Sequence, residues 1–89
     1  MPFGTIDQAR ADRRTVIVAG RAVDADGTPT VRIVSTMGSQ VAVRNVTPVN
    51  GQYQASWSGS PGTRTVCVSV LDAPTGQGVW LGCRKVVVK

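Results

Sequence analysis

The segment TVCVSVLDAPTGQGVWLGC, residues 65–83, places both cysteines of the chain in valine-rich runs on either side of a Pro/Gly turn. β-Branched runs separated by such a break are the pattern of two strands and their connection. If the runs pair antiparallel about Thr75, each residue faces the one equally far beyond the turn, and Cys67 and Cys83 both lie eight residues from Thr75. Directly opposed residues in a non-hydrogen-bonded pair are close enough for a disulfide, and closing a loop of this size stabilises a fold by about 3 kcal/mol. That is a large share of the margin available, because a chain of 89 residues buries only about 60–65% of the surface its unfolded form exposes. Two free buried thiols are the alternative. A zinc site requires about four N or S ligands, and two Cys with no His do not supply them.

The rest of the chain repeats the strand-and-break pattern. Strand-like runs over 4–9, 15–24, 30–36, 40–46 and 52–57 precede the two cysteine-bearing runs, with RADRR, ADGTP, MGS, TPVNG and SGSPG between them. MGS is short enough for a tight hairpin. Seven short strands with breaks about every 8–12 residues predict an all-β protein, a single antiparallel sandwich of immunoglobulin or fibronectin-III type spanning residues 1–89. The buried Trp of antibody domains, set between two inter-sheet cysteines, has no counterpart here. No window keeps a helical period, and there is no internal repeat, linker or low-complexity tract. No apolar run approaches the roughly 20 residues of a membrane span, so membrane insertion is not expected. The opening MPFGTIDQARADRR lacks the apolar core of a secretory signal, so the expectation is a soluble chain with no export address.

Charge and chemistry narrow the function further. Eight Arg and two Lys against five Asp give a net charge of +5, with no Glu and no His. A positive surface favours anionic partners or simply keeps a small domain soluble. Base-stacking modules interleave basic residues with several exposed aromatics, and Phe3, Tyr53, Trp57 and Trp80 are too few to point to nucleic acid. Catalysis needs a general base or an activated nucleophile, and no pairing among the Asp, Ser and Lys residues forms such a set. The chain is therefore expected to be no enzyme and to carry no cofactor or metal. Asp24 and Asp26 in DADG resemble the opening of a calcium loop, but the remaining ligands are missing, and a plain turn with Gly27 at positive φ is the simpler reading. Tyr53, Ala55 and Trp57 alternate with Gln52, Gln54 and Ser56, which predicts that the aromatic side faces the core rather than forming a sugar-stacking platform. Arg10, Arg13 and Arg14 crowd the first turn, as a solvated turn or as an anchor for an acidic protein or a phosphate-bearing polymer.

Two groups of residues look familiar together. Gly4, Thr5, Ile6 and Asp7 are followed by alternating valines and by Gly20, Ala22, Val23, Asp24 and Asp26; the chain then closes with Thr65, Val66, Cys67 and with Leu81, Gly82, Cys83, Arg84. This resembles a disulfide-bearing, immunoglobulin-like all-β repeat of actinobacterial exported and cell-wall proteins, also met in tail and lysis proteins of their phages. The resemblance covers most of the chain. Arg21 stands where the repeat has Trp and Ala25 where it has Pro, and Val31 to Val49 is shorter than in the repeat and matches it poorly. The resemblance implies an accessory module without catalysis and names no ligand.

A persistent disulfide implies an oxidising milieu. Two settings follow: a protein made in the cytosol and oxidised after release, as a virion component would be, or a domain of a longer exported protein. The first predicts a capsid-decoration or tail-accessory protein on an actinobacteriophage virion surface, with capsid or tail subunits, or further copies of itself, as partners. The second predicts an extracellular cell-wall module docking on anionic glycan. In the register centred on Thr75, Val66, Val68, Val70, Trp80, Val86 and Val88 share the larger apolar face, which should point inward. The opposite face would then carry a stripe of Leu71, Val79, Leu81, Val87 and the disulfide. Exposed contiguous apolar area marks a contact surface, unless the N-terminal segment with Phe3 and Ile6 folds over it.

Overall fold

The computed structural model describes residues 2–25, 27–72 and 77–89. The turn expected about Thr75 and the carboxylate of Asp26 lie outside these residues. Seven strands follow one another: β1 (Pro2–Asp12), β2 (Thr15–Asp24), β3 (Thr30–Met37), β4 (Gln40–Val46), β5 (Gln52–Ser58), β6 (Gly62–Leu71) and β7 (Gly78–Val88). They form a three-stranded sheet in the order β1-β2-β5 and a four-stranded sheet in the order β4-β3-β6-β7. Every pairing is antiparallel. The chain is thus the expected all-β sandwich, with its fourth strand on the sheet of the last two, as in fibronectin-III-type domains.

The period-two valines account for the layering. Val16 and Val18 from β2 meet Val31 and Ile33 from β3 and Val66, Val68 and Val70 from β6, all with no measurable exposure. Val86 and Val88 close this core beside Tyr53, and Ile6, Ala9, Ala11, Ala55 and Trp57 pack on its margin. Each fully buried valine contributes about 1.5–3 kcal/mol of apolar transfer. Hairpins follow the local sequence. Gly38 takes φ 61 between β3 and β4, and Asn50 and Gly51 take φ 53 and 76 in the turn that leads into β5.

Two bulges change the phase of the strands that carry them. β1 pairs Ile6 with Gly20 and then Gln8 with Ala19, leaving Asp7 as the extra residue. Its inward positions therefore move from Gly4 and Ile6 to Ala9 and Ala11. β7 pairs Gly82 with Val68 and then Trp80 with Ser69, leaving Leu81 over. An extra residue on one strand displaces every side chain beyond it to the opposite face.

Candidate binding surface on the four-stranded sheet

The disulfide is where the register arithmetic places it. Cys67 and Cys83 are direct cross-strand partners and are bonded, with their Cα atoms 4.0 Å apart, nearer the spacing of a non-hydrogen-bonded pair than of a hydrogen-bonded one. The bond lies on the outer face of the four-stranded sheet, with Cys83 exposed and Cys67 half-buried.

Beyond Gly82 the expected faces are corrected. The uninterrupted register sends Trp80 inward and Leu81 outward, whereas the bulge does the reverse. Trp80 is 66% exposed, while Leu81 is half-buried and packs against the core. Val79 faces Val70, a core residue, and is itself half-buried. The expected stripe of Leu71, Val79, Leu81 and Val87 is therefore not one continuous outer surface; Val87, 55% exposed, keeps its outward place, and Leu71 is half-buried. The N-terminal segment does not fold over this face: Ile6 packs on the core from the opposite sheet, and Phe3 is exposed. The bulge had a sequence signal. Gly82 sits inside an otherwise valine-rich run and takes φ 121, and an isolated Gly within a strand pattern is a mark of a bulge.

The register assembles a different apolar surface. One cross-strand row runs Val43, Val34, Cys67, Cys83, and the next runs Asn45, Arg32, Ser69, Trp80. Val41 and Val43, on the edge strand β4, are 63% and 50% exposed. Trp80, Val87, Val41 and Val43 thus share the outer face with the disulfide. Arg32 and Lys85 stand among them, and Arg32 Nε donates to Asn45 Oδ1 at 3.3 Å. The four strands of this sheet contain five cationic residues, Arg32, Arg44, Arg64, Arg84 and Lys85, and no acidic one. Arg44, Arg64 and Arg84 pair with the core residues Ile33, Val86 and Val66 and so stand in the inward phase, which leaves Arg32 and Lys85 as the charges of the outer face: its chemistry is apolar contact beside two cations and no acid.

The other sequence candidates fall elsewhere. Tyr53 is buried and its hydroxyl donates to the Thr5 carbonyl at 2.8 Å. Burial, reinforced by the negative charge of Asp7 and only partly offset by Arg84, pushes its phenol from 10.0 up to about 12. Ala55 and Trp57 pack beside it on the core, with Gln52, Gln54 and Ser56 exposed, as the alternation predicts. The guanidinium of Arg44 sits over the Trp57 ring, 5.7 Å from its centroid, a cation–π contact across the two sheets that sequence spacing does not disclose. Arg10 is not in the first turn: β1 continues to Asp12, Arg10 pairs with Ile17, and only Arg13, at φ 56, and Arg14 form the turn. All three arginines are exposed. Gly27 has φ 146 and its N–H donates to the Asp24 carbonyl at 3.2 Å, the expected turn geometry.

Among the described residues, no group of three His, Cys, Asp or Glu side chains is placed to hold a metal ion, and no helix is long and apolar enough to cross a membrane. Comparison with known protein families, curated proteins and solved structures finds no match to this chain.

Proposed function

We propose that this chain is a non-enzymatic structural or binding module that docks through the outer face of its four-stranded sheet on an acidic, partly apolar protein surface. The observation that carries this reading is the concentration of Trp80, Val41, Val87 and Val43, each at least 50% exposed, on one sheet face whose strands hold no carboxylate. Aromatic and aliphatic anchors beside cations are the chemistry of a protein contact in which apolar burial supplies affinity and charge supplies selection. The setting we propose is the virion surface of an actinobacteriophage, as a capsid-decoration or tail-accessory protein. Its support is the sequence resemblance together with a disulfide that needs an oxidising milieu. A cell-wall module is the second reading, favoured by the exposure of Arg10, Arg13 and Arg14.

Co-sedimentation with purified phage particles and with isolated actinobacterial cell wall separates the two. Retention on particles that weakens with rising salt, and that survives Arg10→Ala, Arg13→Ala and Arg14→Ala together, is the expected result. Retention on wall alone, abolished by the triple variant, replaces the virion reading with the second one. Retention on neither contradicts both settings.

A further inference from the structure

The side of the sandwich between the edge strands β4 and β5 holds a cation that the docking face does not use. Arg64 occupies an inward position of β6, in phase with Val66, Val68 and Val70, and is only 7% exposed. One of its Nη atoms donates to the Ser60 carbonyl, and its Nε–H is buried with no acceptor. The guanidinium lies so close to the backbone that a Cβ on Gly59 would come within 2.8 Å of its Nη1. A guanidinium cannot shed its proton to escape burial, so a charge this far out of water calls for a counter-charge.

The cleft that Arg64 lines, about 380 Å³, supplies none: among the described residues it has no carboxylate. It brings instead a second guanidinium, that of Arg44 held over Trp57, together with Ser35 and Ser58. The lining thus carries two positive charges, hydroxyl donors and an unsatisfied N–H. We propose that this cleft is a binding site for a phosphate-type dianion, either free phosphate or a phosphate ester. A guanidinium matches phosphate oxygens in geometry as well as charge, and a phosphate monoester at neutral pH carries about −1.5 to −2, which balances two guanidinium charges as a single carboxylate would not. Only Val41, on the edge strand, borders both this cleft and the proposed docking face; the two arginines stand in the inward phase, away from that face, so either proposal stands without the other.

Calorimetric titration and thermal melting at constant ionic strength test it, with inorganic phosphate, glycerol phosphate and acetate as probes. The expected result is one saturable phosphate site that raises the melting temperature by about 5–10 °C at tenfold excess over its dissociation constant, with acetate at least about tenfold weaker. Arg64→Met abolishes the response. Arg44→Gln, at an exposed side chain, weakens binding about tenfold and leaves the melting temperature without phosphate nearly unchanged, so it decides the matter should Arg64→Met fail to fold. Tighter binding of glycerol phosphate than of inorganic phosphate assigns the ligand as an ester, and equal binding assigns the free ion. A parent protein that responds to phosphate no more than to acetate, or a response that Arg44→Gln leaves intact, overturns the proposal and makes Arg64 a structural tether of the Ser60 carbonyl alone.

Discussion

Outside β1, β2 and β5 the polar side chains engage one another: Thr5 Oγ1 donates to Asp7 Oδ1 at 2.9 Å, Arg10 Nε donates to Gln8 Oε1 at 3.3 Å, and Arg21 Nε lies 3.7 Å from Asp7 Oδ2. β5 adds Gln52, Gln54, Ser56 and Ser58, all exposed; the apolar residues of this face are Phe3 and Val23, paired at one end, and the half-buried Ile17 and Ala19 of the central strand, each flanked by polar partners. Outside β4, β3, β6 and β7 the corresponding positions hold Val43, Val41, Trp80, Val87 and a disulfide, with cations and no acid. The strands of the first sheet carry two Arg and three Asp, whereas those of the second carry five cations alone. An antiparallel sheet with one face in water is expected to alternate apolar and polar residues. The first sheet does so along β5 and along most of β1, while β2 between them carries Ile17 and Ala19 half-buried on the same face. The second departs from alternation on an outer face whose charged residues, Arg32 and Lys85, are both cationic, and this combination of apolar and positive groups, rather than hydrophobicity by itself, supports the docking proposal.

The largest effect expected within this comparison is at the disulfide, the covalent tie on the second face. Cys67→Ala with Cys83→Ala should lower stability by about 3 kcal/mol and the melting temperature by roughly 10–20 °C. Calorimetry on the oxidised parent and the double variant measures it, and identical melting would reduce the bond to a bystander.

The bulge at Leu81 can be probed by exchanging the two side chains it separates. Leu81→Ser should cost about 2 kcal/mol because the side chain packs on the core, whereas Trp80→Ser should stay within about 0.5 kcal/mol. Urea denaturation of both variants checks the order. The reverse order would restore the uninterrupted register and return Trp80 to the interior.

A separate test lies on the first sheet, where Tyr53 ties β5 to β1 through the Thr5 carbonyl. Its folded pKa of about 12 lies above the ordinary 10.0, so the native state holds this proton more tightly than the unfolded chain does. The corresponding stability is fully present below pH 10 and is lost as pH rises from 10 towards 12. Tyr53 is the only tyrosine, so phenolate absorbance should titrate near pH 12 in the native protein and near 10 in urea. Coincident titrations would place the hydroxyl in water.

The sequence carried the strand count and the disulfide because both depend on regularities that sequence displays: valines at period two, breaks between runs, and two cysteines equally far from a turn. What it did not carry plainly were the departures from regularity. Asp7 and Leu81 each add one residue to a strand, and a single insertion reverses the facing of everything beyond it, which is why Trp80 and Leu81 exchange places. Gly82 held the signal for one of these bulges. Arg64 held another signal, since it falls in phase with Val66 and Val68, where a charged residue is unexpected. The stacking of Arg44 on Trp57 depends on how the two sheets face each other, and no local pattern encodes that.

The docking face is tested most directly by Trp80→Ser combined with Val87→Ser, followed by melting and by retention on the particle or wall that retains the parent. Both side chains project into solvent, so the double variant should melt within about 3 °C of the parent while its retention falls at least about tenfold, the loss typical of removing an aromatic anchor from an interface. A melting temperature lowered by about 10 °C or more would assign the pair to the core. Unchanged retention in a stably folded variant would place the contact on another surface of the protein.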